Sequence, residues 1–260
     1  MKITFLGCTS FSKKLLESII DLPNIFIDSI FTIPELFKIS YSQEKVKNTN
    51  YADLRPIANK KNIPIYTVNS ESGKKMTDYL PVFQRNKPDI ILVLGWYYKV
   101  PKTIRELAKY GAWGVHASLL PKYAGGAPLV WAIINGEKET GVTLFKLDSG
   151  IDDGDIIEQE SFPIEDKDTI KEVYEKATEA SINILRKALL NIDNIKLKPQ
   201  DKSKIEVFPQ RNPEDGEINL EWPAKRIYNF IRAQSTPYPG AFIKTIDNKK
   251  LVIYKARLID

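Results

Sequence analysis

The chain has 260 residues, enough for one large domain or one domain with a small appendage, and 43% of them are hydrophobic, so a sizeable core is within reach. A net charge of +5, with lysines spread rather than blocked, suits an anionic ligand as well as a plain solvated surface. One cysteine, Cys8, excludes an internal disulfide and a CxxC pair, and one histidine, His116, excludes HExxH and multi-histidine metal sites, so no metal is expected.

The first residues, MKITFLG, lack the long apolar core and small-residue cleavage site of a secretory signal. The richest apolar run, residues 19–33, is broken by Asp21, Pro23, Asn24 and Asp28, so no membrane span is expected. A cytoplasmic location is the expectation. Residues 2–7 read as a short apolar strand, residues 7–10 as a turn, and residues 11–20 carry helical spacing through Phe11, Leu15, Leu16 and Ile19. This opening strand–helix unit has one glycine where a dinucleotide fingerprint needs three, so no pyrophosphate site is read there.

Strand two is expected at 26–33, and residues 34–50 read as a long polar loop, either functional or a solvated connector. A helix over 51–61, a strand over 63–68 and a helix over 73–83 follow. Residues 89–94, DIILVL, are the apolar run of a buried parallel strand. The run ends in Gly95-Trp96-Tyr97-Tyr98-Lys99-Val100, an aromatic cluster that either packs as core or lines a flat-ring pocket at the strand's C-terminal end.

A helix over 102–109 leads to the central stretch, residues 111–155. Residues 112–117 read as a buried strand ending near His116, and Pro128 stands in the first turn of the helix after it. A second strand, 141–147, runs into the acidic, Gly-rich loop 148–155. An imidazole leaving one strand and a carboxylate in the next exit loop suit general acid–base chemistry at the mouth of a sheet. A Ser118–His116–Asp152 triad is a weak reading, because the serine is two positions from its base and no GxSxG elbow exists.

A strand over 155–160 precedes the capping-box pattern Thr169-Ile-Lys-Glu172, which opens a helix to about residue 190. The alternation over 1–190 predicts a doubly wound, mostly parallel α/β sheet. Residues 193–204 read as a polar linker, followed by a helix over 224–232 and a hairpin over 241–256. The expected division is therefore a catalytic domain over 1–192 and a small α+β appendage over 193–260, whose hairpin offers a homodimer surface.

The segments HASLLPKYAGGAP at 116–128, NGEKETGV at 135–142 and DSGIDDGD at 148–155 closely resemble the folate-dependent formyltransferases. The tail segments NPEDGEI at 212–218, IRA at 231–233 and PYPGAF at 237–242 resemble that family's C-terminal region. The resemblance implies 10-formyltetrahydrofolate as co-substrate. Its pterin would lie near Leu94, Trp96, Tyr97, Tyr98 and Val100 and near Gly150, Ile151 and Gly154 of the acidic loop. It further implies that His116 stabilises the oxyanion and Asp152 tunes that histidine and relays the amine's proton.

Two positions depart from the family. Gly114 stands where Asn-x-His has asparagine, and Ala124 where arginine is common. Trp131 resembles the sugar-nucleotide enzymes, so an amino sugar linked to a nucleotide is the preferred acceptor, with Ser118 and Trp131 on its side. Methionyl-tRNA is the runner-up acceptor, since the tail is short and carries no basic stripe. A folate- or nucleotide-binding protein without catalysis is the reading that Gly114 motivates.

Overall fold

The computed structural model describes residues 1–38, 45–70 and 72–259, and the chain divides into two units. The first comprises Met1–Val115, Leu144–Ser149 and Leu185–Ile195; the second comprises His116–Thr143, Gly150–Ile184 and Lys196–Asp260.

In the first unit β1 (Lys2–Leu6) feeds α1 (Ser10–Ile19), whose N-cap Thr9 and third residue Ser12 form a reciprocal capping box. Then come β2 (Phe26–Thr32), β3 (Leu36–Phe37), β4 (Val46–Lys47), α2 (Arg55–Lys60), β5 (Ile65–Thr67), α3 (Leu80–Asn86), β6 (Ile90–Val93), α4 (Lys102–Arg105) and β7 (Ala112–His116). The strands lie side by side in the order β7–β6–β1–β2–β5, all parallel. Ile3 pairs with Ile90, Ile91 with Ala112, and Val93 with Gly114. Continuous apolar runs follow from this, because helices cover both faces of a parallel sheet. Leu6, Phe31, Phe83, Ile91 and Ile104 fill one side, with the Phe31 ring stacked between Tyr66 and Phe83.

The polar loop expected over 34–50 carries the antiparallel pair β3–β4, with Leu36 opposite Lys47; residues 39–44 lie outside the described residues. Phe37 anchors it, fully buried with Cys8 and Ile33. The helix expected over 51–61 is shorter than its pattern, because Pro56 belongs in a first turn and Ala52 N is bound to Cys8 O. The helix expected over 73–83 begins instead as a 3-10 turn at Met76–Tyr79 and becomes α3 at Leu80.

The second unit carries β8 (Ala124–Gly125), α5 (Pro128–Ile134), β9 (Glu139–Lys146), β10 (Ile156–Pro163) beside β9, and α6 (Ile170–Leu190). The last residues of β9 and α6 fall in the first unit, where Leu147 N donates to Ala112 O. Thr169 N donates to Glu172 Oε2 at 2.8 Å, the capping box expected at the head of α6. The stripe Ile170, Val173, Ala177, Ile184, Leu185 and Ala188 is buried, as its 3.6-residue spacing requires.

Beyond α6 the chain forms β11 (Val207–Phe208), α7 (Ala224–Ala233) and the antiparallel hairpin β12 (Ala241–Lys244) with β13 (Lys250–Ile253). The buried Arg232 of α7 donates to Glu165 O and Asp168 O, so this helix is tied to the turn before α6 by charge-assisted bonds. No helix among the described residues is long and apolar enough to cross a membrane.

Candidate active site

His116 ends β7 and is 9% exposed. The loop after it is held from below. Thr143 Oγ1 donates to Ser118 O at 2.6 Å and accepts from Leu120 N at 3.1 Å. Gln159 Nε2 donates to Leu120 O at 2.9 Å and to Thr143 Oγ1 at 2.8 Å. The Leu120–Pro121 bond is cis. Ser118 is buried and its hydroxyl donates to Lys122 O at 2.6 Å. That hydroxyl braces the turn through its bond to the backbone.

The turn brings Tyr123, at φ 54°, back over the histidine, with His116 Nε2 2.7 Å from Tyr123 O. The Tyr123 hydroxyl donates to Glu137 Oε1 at 2.7 Å and accepts from Asn135 Nδ2 at 3.2 Å, and its ring stacks on Phe208 at 4.8 Å. Burial pushes this phenol up to about 12; the Asn135 amide opposes that rise and Glu137 adds to it. Tyr123 therefore stays a neutral donor.

The next residues pair with β11: Ala124 lies opposite Val207 and Gly125 opposite Phe208. Gly125 has φ 88°, and a Cβ there would sit 2.5 Å from Phe208 O, so this strand pairing demands glycine. Ala124 is completely buried in the same pairing, which leaves no volume for the arginine common in the resembled family.

The amide of Gly125 points at the acidic loop and donates to Asp152 Oδ2 at 2.8 Å. The same oxygen lies 3.4 Å from His116 Nδ1. Asp152 has φ 50°, an uncommon conformation for a residue with a side chain. Gln200 holds it there from behind, donating from Nε2 to Asp152 O and to Gly154 O, each at 2.7 Å. Gly150 N donates to Asp153 Oδ1, and Lys202 Nζ reaches Asp153 Oδ2 at 3.1 Å.

Both ring nitrogens of His116 thus face acceptors, a main-chain carbonyl and a carboxylate. A proton on each nitrogen would serve both acceptors, with the Asp152 carboxylate facing Nδ1. Such a pair can present positive charge to a developing oxyanion and take up a proton from an attacking amine. Residues of the second unit supply every one of these contacts.

The other expected residues are distributed as follows. Trp131, on α5, donates from Nε1 to Pro209 O at 3.0 Å, and its ring carries the Arg211 guanidinium at 4.8 Å. Ile151 is largely exposed and Gly154 is buried beneath Gln200. At the exit of β6, in the first unit, Leu94 is buried and its carbonyl accepts from Ser12 Oγ. Trp96 and Tyr98 pack on the Cys8–Ile33–Phe37 cluster, Tyr97 leans on Phe37 at 5.0 Å, and Val100 is core. Gly114 pairs with Val93, and a Cβ on it would lie 2.9 Å from Leu147 Cδ2. Leu147 occupies the space into which an asparagine side chain at 114 would begin to extend.

A family model for formyl transferase matches residues 1–189, and one for the formyl transferase C-terminal domain matches residues 211–260. The chain belongs to the formyl transferase family. It is 41% identical over 203 residues to the bifunctional polymyxin resistance protein ArnA of Wigglesworthia glossinidia brevipalpis, an alignment covering 76% of this chain but only 30% of that much longer relative. It is 31% identical to the methionyl-tRNA formyltransferase of Caldanaerobacter subterraneus subsp. tengcongensis, over 100% of this chain and 82% of the relative. Among solved structures, the N-formyltransferase from Helicobacter canadensis in complex with folinic acid and dTDP-3-aminofucose matches at TM-score 0.65 and 25% identity, covering 90% of this chain and 80% of that one.

Within this family member, the residues that sequence reasoning missed are Gly125, Tyr123 and Gln200. All three act through or upon main-chain atoms. A paired Gly-Gly before a proline was the only visible trace of the first, and the stretch holding Gln200 read as linker.

Proposed function

We propose that the chain transfers a formyl group from 10-formyltetrahydrofolate to the amine of a nucleotide-linked amino sugar. The observation that carries this reading is the shared carboxylate oxygen: Asp152 Oδ2 takes the Gly125 amide at 2.8 Å and faces His116 Nδ1 at 3.4 Å. That donor set fits acyl transfer to nitrogen. The co-substrate supplies an activated one-carbon acyl group; the protein supplies charge and a proton path. In this reading His116 holds a cation beside the carbonyl oxygen as negative charge develops there, which is worth several kcal/mol in such sites. Asp152 orients that imidazole and accepts the proton that the amine sheds as its bond to carbon forms; the proton would then pass to N10 of the folate as the carbon–N10 bond breaks and tetrahydrofolate leaves.

The acceptor preference draws on two supports. The Helicobacter canadensis structure holds a dTDP-amino sugar with folinic acid. In this chain Trp131 stands on α5, three residues past Pro128, where the sugar enzymes resemble it. A second reading, transfer to methionyl-tRNA, draws on the full-length similarity to the Caldanaerobacter enzyme. The two separate in one assay: protein, 10-formyltetrahydrofolate, and in parallel wells dTDP-, UDP- and GDP-linked amino sugars and methionyl-tRNA, read as formylated product. Product in a sugar well supports the proposal. Product with methionyl-tRNA alone installs the second reading, and donor binding without product in any well makes the protein a non-catalytic relative.

A further inference from the structure

We infer that Gln200 is a positioning residue for the reaction, and that its carboxamide sets the orientation of the Asp152 carboxylate toward His116. This rests on the reading of His116 and Asp152 as the reacting pair. Gln200 is 8% exposed, and one nitrogen, Nε2, donates to Asp152 O and Gly154 O, each at 2.7 Å. The two carbonyls decide which end of the amide points inward, since a flipped amide would set oxygen against oxygen twice. The outward end, Oε1, is buried without a hydrogen-bond partner.

What those donors hold is specific. They bracket Asp152 and the residue two positions on, and Asp152 has φ 50°, so the carboxylate reaches the Gly125 amide from an uncommon backbone conformation that these donors hold. The flanks reinforce the brace. Lys198 and Ile156 exchange both backbone hydrogen bonds at 2.9 Å, and Lys202 Nζ binds Asp153 Oδ2 at 3.1 Å. Residues 198–202 thus run as a splint beside the acidic loop, tied to the start of β10 by Lys198 and to the loop by Gln200 and Lys202. Gln200 itself lies behind the carboxylate, with its contacts on the main chain, so its influence on chemistry runs through Asp152.

The test uses the full chain and exploits its single histidine, whose ring N–H signals are unambiguous in a 15N-labelled protein. Two variants are compared with wild type: Gln200→Met, which keeps volume and removes the donors, and Gln200→Glu, which keeps shape and turns a donor into an acceptor. Without any ligand, both are expected to lose or broaden the Nδ1–H signal of His116 while the backbone amide spectrum outside residues 148–156 is retained. In the transfer assay, kcat is expected to fall about 10–100-fold, the scale of an ångström-sized misplacement, with KM changed less than about threefold. In the background of Asp152→Asn, adding Gln200→Met should cost little more. An unchanged His116 signal in a folded variant overturns the inference. So does a loss of Tm with kcat and KM moving together, which would mark a merely structural residue. If no acceptor is ever formylated, the functional reading falls, and the ligand-free His116 signal still decides whether Gln200 aims the carboxylate. Should Gln200→Met fail to fold, Gln200→Glu carries the same comparison.

Discussion

At the scale of single residues, the site depends on charge and aim. Asp152 keeps its place through its own backbone, so replacing its charge alone is informative. Asp152→Asn retains an acceptor for the Gly125 amide and removes the negative charge that faces His116 Nδ1. The account predicts a fall in kcat of about 10²–10⁴-fold with a small change in KM, measured by steady-state formyl transfer. Gly114 poses the opposite question. An asparagine there meets Leu147 Cδ2, the far end of a flexible side chain, so the residue is tolerated once Leu147 moves. Gly114→Asn alone is expected to lower Tm by a few degrees, and Gly114→Asn with Leu147→Ala to gain kcat over Leu147→Ala alone. A flat kcat would show that no oxyanion donor is missing at 114.

At the scale of elements, the turn between β1 and α1 shows how packing silences a reactive group. Cys8 is completely buried, and burial pushes its thiol from 9.0 up to about 12. The unfolded chain gives up this proton near pH 9 while the native state keeps it, so native stability is full below pH 9 and declines as pH rises toward 12. Thiol-reagent labelling at pH 8 should therefore be slow in native protein and immediate in denaturant. Much of the element scale was legible in the sequence. The strand–helix alternation, the Thr169–Glu172 cap and the α6 stripe all rest on side-chain periodicity, and all are present. What escaped depends on the main chain. α2 starts late because Pro56 and the Ala52–Cys8 bond take precedence over an apolar pattern. The segment around Gln200 looked like solvated linker because its partners are carbonyls, which every residue type presents equally. Gly125 was visible as a glycine but not as the donor that binds a carboxylate 27 residues away.

At the scale of the whole molecule, the family membership joins two stretches that spacing alone could not connect. His116 ends β7 and Asp152 lies in the loop between β9 and β10, and only the fold of the second unit brings their side chains within 3.4 Å. Under the proposed function the choice of acceptor falls to Trp131 on α5, whose ring carries the Arg211 guanidinium. Specificity and chemistry should therefore separate under mutation: changes at Trp131 act on the choice of amine, and changes at His116 act on turnover with every amine.

The most direct test of that division is the rate of formyl transfer by His116→Ala, measured beside wild type with the best acceptor and at saturating 10-formyltetrahydrofolate. The account predicts a loss of about 10²–10³-fold or more in kcat, the scale of a lost oxyanion donor, with donor binding retained. A variant that turns over within about threefold of wild type would contradict it.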